Sequence, residues 1–531
     1  MPSSASTAHA LRDSTSNLNM SASKTLQRLG LRRNPFVDRT GERTGLDPSS
    51  LYVHSDLQDF HPNEMTYLFF GRRGAGKTTI RLQLEKAYAE ANEQLVGSGK
   101  SLGHFIVDLT KPGALNSRLI DFRKNIGCPE DAWDQRFSET WTEVDLVDTI
   151  LSVAATQLLQ TITAQGPSGN AEVAAAMAQR LRSHPQRARQ AVLLCVMYAQ
   201  GDSRSLQRLE EMLLQPRWGA EKLTLTAGLA AGVGLASMAA KHGLGPVRDG
   251  LARFADAVHL PHTRAAVACG AAAAAVGAGA WMWSSSKRPY ARAAEMLAPI
   301  RILQGRPPKV LAGLLEPLFP RQDSASTIRS LYIGTSTSAK LDLLSGLVKH
   351  VGYESLAVFG DCFDEVPLLD PVLYPSAMKT FAREVCRNDL LSVGRQHWFF
   401  PDSRLALDLS TDKTMREARF DRHFVRDLEW SRHQLQELAE QRWLAASQDV
   451  GVAAGPPGGR GGARYGPTLE ELFEMIRVED LSGHMGKLRT PRELLIMMSE
   501  VLARLEANPG GSLTSQDMEI CVNKAKEQGA M

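Results

Sequence analysis

The sequence predicts an α/β fold built on a parallel sheet, with an inserted helical hairpin and a small α-helical C-terminal region. Three observations predict it. Short apolar runs that end in glycine or aspartate alternate with segments of helical periodicity. A glycine-rich turn, GRRGAGKT at Gly71–Thr78, follows the first of these runs and precedes a helical segment. Two uncharged stretches rich in alanine and glycine, residues 223–240 and 265–286, stand between the two sets of strands.

The composition limits the classes of protein. The chain has 531 residues, of which 43% are hydrophobic and 22% charged. That length is enough for about two to four folded domains. The net charge of only +3 argues against a general nucleic-acid-binding protein. The six cysteines are scattered without a CxxC pair, which is typical of a reducing compartment and argues against a disulfide framework or a metal site.

The N-terminal segment, residues 1–33, is rich in small polar residues and carries one acid, Asp13, against five basic residues. This composition fits a disordered tail and also fits an organellar transit peptide, so both interpretations stay open. The segment has no apolar run of about 7–15 residues, and a secretory signal is therefore not expected.

The first half of the chain supplies two strands and a series of helices. The predicted strands are Thr66–Phe70 and His104–Leu109, because both are short β-branched or aromatic runs. The predicted helices are Thr78–Leu95, the amphipathic Val144–Ile162, and segments that include Ala191–Ala199 and Ser205–Leu214.

The second half resumes the strand and helix pattern. Its predicted strands are Ser355–Asp361, Gln396–Asp402 and His423–Trp430. Capping boxes, in which a Ser or Thr precedes a Glu or Gln by three residues, predict helix starts at Ser431, Thr468 and Thr490. The predicted organisation is a tail at 1–33, the first half of the core at 34–200, a helical insert at 201–300, the second half of the core at 301–445, a Gly/Pro-rich loop at 446–467 and a helical region at 468–531.

The glycine-rich turn fits the pattern G-x-x-x-x-G-K-[ST], with a strand before it and a helix after it, as a phosphate-binding loop requires. Glycines let backbone N–H groups turn toward phosphates, and the helix N-terminus adds the positive end of its dipole. Lys77 is expected to bridge the terminal phosphates, and Thr78 to hold Mg²⁺. The nucleotide-binding candidates are Gly71, Arg72, Arg73, Gly74, Ala75, Gly76, Lys77, Thr78 and Thr79.

Hydrolysis also needs an acid that holds Mg²⁺ and a group that polarises water. The run LAVFGDCFDE supplies candidates for both at the carboxyl end of a predicted strand, where parallel sheets bind ligands. Asp361 is the candidate metal ligand, and Asp364 or Glu365 is the candidate water-activating carboxylate. An acidic surface turn is the alternative interpretation.

Two further placements rest on position alone. Asp402 or Ser403 follows the next apolar strand and is placed to sense the γ-phosphate. Arg492, near the start of a C-terminal helix, is placed to reach the nucleotide from a lid, or else is a solvated arginine.

The D-x-x-D-E pattern of Asp361, Asp364 and Glu365 resembles the Walker B motif of STAND-type P-loop ATPases, among them the NACHT and KAP groups. KAP ATPases carry membrane helices between Walker A and Walker B, and both uncharged stretches fall in that interval here. Thr490–Leu495, TPRELL, also looks like the arginine-bearing helix start that follows the core in such ATPases. KAP proteins usually have a basic residue where this chain has Glu365. The resemblance covers roughly residues 34–505 and implies an additional-strand P-loop ATPase.

The two uncharged stretches predict a transmembrane hairpin. Tryptophan and basic residues flank the outer end of each stretch, as aromatic belts and positively charged flanks do at a membrane surface. Small residues such as Gly228 and Gly232 would let the two helices pack closely. A hairpin buried within a soluble protein stays open as the alternative.

The sequence thus predicts a membrane-associated ATPase that binds ATP and Mg²⁺ and hydrolyses ATP to drive a conformational switch. Its expected partners are membrane lipid, an unidentified protein and further copies of the chain, and no nucleic acid is expected. The catalytic domain is expected in the cytosol, or in an organelle stroma or matrix if the N-terminus is a transit peptide. The alternatives are a nucleotide-gated membrane scaffold with little turnover and a soluble STAND-type ATPase with a buried hairpin.

Overall fold

The computed structural model describes Leu26, Leu29, Leu31 and residues 34–38, 60–62, 64–164, 170–214, 300–304, 306–315, 336–387, 393–401, 424–425, 428–448, 469–475, 481–507 and 512–530. Several sequence-based assignments lie wholly or largely outside these residues. They are the tail at 1–33, the two uncharged stretches at 223–240 and 265–286, the candidate pair Asp402 and Ser403, the Gly/Pro-rich loop at 446–467 and the capping box at Thr468.

The described strands form one five-stranded parallel sheet. In chain order they are β1 (Tyr67–Phe70), β2 (His104–Leu109), β3 (Ser355–Gly360), β4 (Arg395–Phe400) and β5 (Phe424–Val425). Their order across the sheet is β2-β3-β4-β1-β5, and every neighbouring pair is parallel. The predicted α/β fold with a parallel sheet is confirmed, and β4 lies between β1 and β3.

Burial on both faces explains why these strands are continuous apolar runs. Every residue of β1 and of β3 is buried. The register sets Phe69 beside Phe399 and Phe70 beside Phe400, and the ring centroids of these pairs are 5.0 and 4.9 Å apart. Stacked aromatic side chains on neighbouring strands stabilise one register over its alternatives.

The described helices connect these strands and form the rest of the fold. In chain order they are α1 (Lys77–Gly97), α2 (Pro112–Asn125), α3 (Trp133–Thr140), α4 (Glu143–Ile162), α5 (Ala171–Arg182), α6 (Pro185–Tyr198), α7 (Ser203–Leu213), α8 (Pro308–Leu315), α9 (Thr337–Val351), α10 (Pro375–Val385), α11 (Arg432–Gln448), α12 (Leu469–Met475), α13 (Leu481–Gly486), α14 (Pro491–Ala507) and α15 (Ser515–Ala530).

The chain divides into two compact units. Unit 1 comprises Met1–Gly113, Phe137–Glu139 and Glu354–Met531, and it contains the whole sheet. Besides the sheet, unit 1 has a second core in which the C-terminal helices pack against a short N-terminal segment. Phe36 is fully buried there, and Arg442 of α11 donates to the carbonyl oxygens of Pro35 and Asp38 at 3.2 and 3.0 Å. Leu26, Leu29 and Leu31, from the predicted tail, are also buried in this core.

Unit 2 comprises Ala114–Arg136 and Thr140–Tyr353, and the helices α4 to α9 belong to it. Residues 34–200, predicted as the first half of the core around the sheet, are therefore divided between unit 1 and unit 2. Lys340 of α9 and Asp148 of α4 form a buried ion pair at 2.8 Å, and the Tyr198 hydroxyl donates to the same carboxylate at 2.8 Å. Burial of both charges is tolerated because each has a partner.

The prediction of transmembrane helices needs correction. Among the residues that the structure describes, no helix combines the length and the apolar character that a membrane crossing needs. The stretches at 223–240 and 265–286, on which the prediction depended, lie outside that part of the chain.

Candidate functional site

The glycine-rich loop Gly71–Gly76 connects β1 to α1, as the sequence predicts. Gly74 and Gly76 have φ angles of +84° and +95°, which side chains rarely tolerate. A Cβ atom on Gly74 would also lie 2.7 Å from the Cβ atom of Arg492. Glycine at position 74 therefore satisfies both the backbone conformation and the close approach of α14.

Lys77 is the first residue of α1, and its side chain turns back over the loop. Its Nζ atom donates to the carbonyl oxygens of Gly71 and Arg72 at 2.8 and 3.2 Å. Partial burial lowers the pKa of Lys77, whereas the carboxylates of Asp361 and Asp364 favour its charged form. The ammonium group is thus held against carbonyl oxygens of the loop.

The other loop residues differ in exposure. Arg72 and Arg73 are exposed, whereas Ala75 is fully buried. Thr78 and Thr79, in the first turn of α1, are half-buried. That turn contains no acidic side chain, and among the described residues no side chain caps the helix. The N-terminus of α1 therefore presents the positive end of its dipole next to the loop.

Asp361 directly follows β3 and is 4% exposed. Its Oδ1 atom accepts a hydrogen bond from the Cys362 N–H at 2.8 Å, and its Oδ2 atom lies 3.0 Å from Nε of Arg81. Burial raises the pKa of Asp361, and the Cys362 N–H and the cations of Arg81 and Lys77 oppose that rise. The buried carboxylate thus accepts one hydrogen bond at Oδ1 and forms an ion pair at Oδ2.

The sheet explains why Lys77 and Asp361 come together although they are far apart in the sequence. β1 and β3 both pair with β4, and all three strands run in the same direction. The carboxyl ends of parallel strands lie at one edge of a sheet, where ligands of such folds bind. The loop after β1 and the acid after β3 therefore share that edge, in agreement with the electrostatic coupling between Lys77 and Asp361.

Asp364 and Glu365 lie in a 3-10 turn, Phe363–Glu365, immediately after Asp361. Cys362 enters the turn with φ of +59°, and Phe363 is completely buried against Phe400 at a centroid distance of 5.3 Å. The turn thereby directs Phe363 inward and leaves Asp364 and Glu365 exposed. Of these two acids, Asp364 acts electrostatically on Lys77.

Comparison of the chain with protein-family models, with curated proteins and with solved structures gives no match. Residue roles are therefore inferred from the geometry of the site.

Three residues of the site were missed or undervalued in the sequence. Arg81 forms an ion pair with Asp361, and Trp430 donates from Nε1 to the carbonyl oxygen of Ala75 at 2.9 Å. The backbone N–H of Arg492 lies 3.3 Å from the carbonyl oxygen of Gly74, and its charge lowers the pKa of Lys77. Arg81 could have been found, because it lies one helical turn after Lys77 and thus on the same face of α1. Nothing local in the sequence indicates Trp430.

Proposed function

We propose that this chain binds ATP with Mg²⁺ and hydrolyses it, and that hydrolysis drives a conformational switch. The observation that carries the proposal is that the sheet places Lys77, in a glycine-rich loop before a helix, and the buried Asp361 after β3 at one edge, where Arg81 of the same helix lies 3.0 Å from Asp361. A cation that can bridge phosphates and an acid that can hold a metal are the two parts that P-loop enzymes require at one place.

The loop fits a polyphosphate. Its positive φ angles at Gly74 and Gly76 turn backbone groups away from the ordinary strand or helix geometry, as anion-binding loops do. The first turn of α1 offers the positive end of a helix dipole, and Lys77 offers an ammonium group. Lys77 now donates to the carbonyl oxygens of Gly71 and Arg72, so we expect it to exchange these acceptors for phosphate oxygens.

The oxygen ligands near the loop also fit magnesium, which prefers oxygen and usually takes only one or two carboxylates from the protein. The Thr78 hydroxyl and the Asp361 carboxylate are ligands of this type. Magnesium there would neutralise charge on the phosphates. Asp364 and Glu365 are exposed and adjacent, and we assign to one of them the orientation and polarisation of the attacking water.

The strand order supports assignment to the additional-strand class of P-loop ATPases, because β4 stands between the loop-bearing β1 and the acid-bearing β3. The similarity of Asp361, Asp364 and Glu365 to the Walker B motif of STAND-type ATPases is consistent with this class. Membrane helices distinguish the KAP group, and we do not propose such helices for this chain. We therefore do not propose that it belongs to that group.

A nucleotide-gated scaffold with little turnover is the second candidate. The contacts of Trp430 with Ala75 and of Arg492 with Gly74 favour it, because they connect the loop to the C-terminal helices without any need for hydrolysis. Both candidates bind nucleotide through Lys77, and they differ in whether Asp364 or Glu365 is needed.

The test is calorimetric binding of the non-hydrolysable analogue AMPPNP with Mg²⁺, together with phosphate release from ATP. Lys77→Ala should lower affinity at least about tenfold, since a hydrogen bond to a charged group is worth about 1.5–3 kcal/mol. Lys86→Ala is the matched control, because Lys86 lies on the same helix in a weak ion pair with Glu90 at 3.9 Å. Equal affinities of Lys77→Ala and the wild type would refute the proposal, and binding without phosphate release would favour the scaffold.

A further inference from the structure

Arg81 stands between two carboxylates at the candidate metal site. Its Nη1 atom donates to Oε1 of Glu85 at 2.9 Å, and its Nε atom lies 3.0 Å from Oδ2 of Asp361. The Arg81 and Asp361 side chains are 8% and 4% exposed, whereas the Glu85 side chain is 33% exposed. One arginine thus contacts a buried acid of the sheet and a more accessible acid of its own helix.

The spacing along α1 makes this arrangement possible. Lys77, Arg81 and Glu85 follow one another at intervals of four residues and so lie on one face of the helix. Lys77 and Arg81 both act electrostatically on Asp361, and Arg81 and Asp361 both act on Glu85. Arg81 thus connects Asp361 to Glu85 by two contacts of 3.0 and 2.9 Å, and Lys77 lies one turn earlier on the same face.

Metal binding at Asp361 conflicts with the present position of Arg81. Oδ1 of Asp361 accepts the Cys362 N–H, and Oδ2 faces the guanidinium. A divalent cation that took Oδ2 would stand a few ångströms from a positive guanidinium, and like charges repel strongly where water is largely excluded. We therefore expect the metal and Arg81 to compete for this oxygen.

We propose that Arg81 is a positioning residue that pairs with both Asp361 and Glu85, and that it keeps Glu85 alone as its partner when Mg²⁺ and nucleotide bind. This inference rests on the proposed function and concerns the same site. Arg81 already donates to Glu85, so this change breaks one ion pair and keeps the other. Because Arg81 keeps Glu85 as an acceptor, separating it from Asp361 costs less free energy than it would if Arg81 had no other partner.

Substitutions of Arg81 and Glu85 should change the effect of Mg²⁺ on nucleotide affinity in opposite directions. Arg81→Gln removes the competitor, so Mg²⁺ should strengthen nucleotide binding more than it does in the wild type. Glu85→Gln removes the alternative partner, so Arg81 should hold Asp361 more firmly and Mg²⁺ should strengthen binding less. In the double variant the Glu85→Gln effect should vanish, because coupled residues are not additive. Arg81→Lys keeps the charge but has a single ammonium group that cannot contact both acids as the guanidinium does, so its Mg²⁺ dependence should lie between those of the wild type and Arg81→Gln.

The experiment measures the dissociation constant of AMPPNP by calorimetry, once with Mg²⁺ and once with EDTA, for the full-length chain. The ratio of the two constants reports the contribution of the metal. We expect this ratio to rise about tenfold in Arg81→Gln and to fall about tenfold in Glu85→Gln, with the EDTA value unchanged within about twofold. Thermal unfolding of each variant verifies that it is folded, and Glu85→Gln keeps the test available if Arg81→Gln is unstable.

The outcomes separate this inference from the proposed function. A wild type that binds no AMPPNP under either condition overturns both. A wild type that binds AMPPNP in Mg²⁺, with a ratio that falls in Arg81→Gln, overturns the inference alone, because Arg81 would then support the metal site. Persistence of the Glu85→Gln effect in the double variant overturns it as well, because Glu85 would then act without Arg81.

Discussion

The indole N–H of Trp430 donates a hydrogen bond of 2.9 Å to the carbonyl oxygen of Ala75, inside the glycine-rich loop. Trp430 packs, partly buried, against the core that the C-terminal helices form. The backbone N–H of Arg492 holds the carbonyl oxygen of Gly74 at 3.3 Å. Two consecutive loop residues are thus tied to the C-terminal part of unit 1, and the conformation of the loop depends on those ties.

Trp430→Phe keeps an aromatic ring but removes the donor, so the buried carbonyl of Ala75 loses its partner. Such a loss costs about 1–3 kcal/mol. We expect AMPPNP affinity to fall about fivefold or more, measured by calorimetry in Mg²⁺. Trp443→Phe is the control, since Trp443 is buried in the same helical core and should change stability without changing affinity. An unaltered affinity in Trp430→Phe would show that the tie does not shape the loop.

Gly74→Ala should damage the loop more severely. An alanine at φ of +84° is strained by about 1–2 kcal/mol, and its Cβ atom would lie 2.7 Å from the Cβ atom of Arg492. Neither Cβ atom can rotate away, so the loop or α14 must shift. We expect a lower midpoint of urea unfolding and the loss of most AMPPNP affinity.

Gly97→Ala supplies the comparison for that substitution. Gly97 is the last residue of α1, and a Cβ atom there meets nothing within 4 Å. Alanine should leave AMPPNP binding intact and stabilise the helix by up to about 1 kcal/mol. Equal effects of the two alanine substitutions would argue against a special conformation at Gly74.

Local signals in the sequence predicted local structure well. The strand His104–Leu109 has the bounds expected from its apolar run, and the helix Glu143–Ile162 differs from its prediction by one residue. The capping box at Ser431 is confirmed by both of its hydrogen bonds, from Ser431 N to Gln434 at 2.8 Å and from Gln434 N to Ser431 at 3.2 Å. At Thr490 only one half is present, because Glu493 accepts from Arg489 N instead.

Contacts between distant segments could not be predicted in the same way. Within the strand expected over His423–Trp430, the described residues Phe424–Val425 form β5 and pair with β1, a partner that the composition of the segment does not indicate. The ion pair of Arg81 with Asp361 joins two segments that only the strand order brings together. Composition likewise predicted transmembrane helices, and no described helix is long and apolar enough to cross a membrane. The uncharged stretches themselves lie outside the described residues.

His397 makes the sheet sensitive to acid. It is completely buried in β4, where it contacts the Tyr88 hydroxyl at 3.1 Å, and burial lowers its pKa to about 3. The folded protein therefore keeps His397 neutral while the unfolded chain binds a proton below a pH of about 6.5. Its contribution to stability is complete above that pH and is lost as the pH falls toward 3, at about 1.4 kcal/mol per unit.

Urea unfolding at pH 7.5 and 5.5 checks this expectation. The wild type should lose about 1 kcal/mol more than His397→Gln between these two values, because glutamine does not titrate. His433→Gln, at an exposed position of α11, should lose as much as the wild type. An identical pH dependence in His397→Gln and the wild type would contradict the assignment.

The acids at the end of β3 should separate into two classes. Asp361 is buried and coupled to Lys77, so Asp361→Asn should weaken AMPPNP binding in Mg²⁺ while changing little in EDTA. Asp364 and Glu365 are exposed, so Asp364→Asn and Glu365→Gln should leave AMPPNP binding intact. Substitution of the acid that polarises water should slow phosphate release from ATP by about 100-fold or more.

Asp364 is the first candidate for that role, because its charge favours the charged form of Lys77. Glu354→Gln is the control, since Glu354 is exposed and precedes β3 at the opposite end of the strand. Slower phosphate release in Asp364→Asn, with normal binding, assigns the water-activating role to Asp364, and the same result in Glu365→Gln assigns it to Glu365.

If neither substitution changes a measurable rate of phosphate release, neither acid activates water. If the wild type binds AMPPNP but releases no phosphate from ATP, the result favours the nucleotide-gated scaffold. The contacts of Trp430 and Arg492 with the loop would then connect nucleotide binding to the C-terminal part of unit 1.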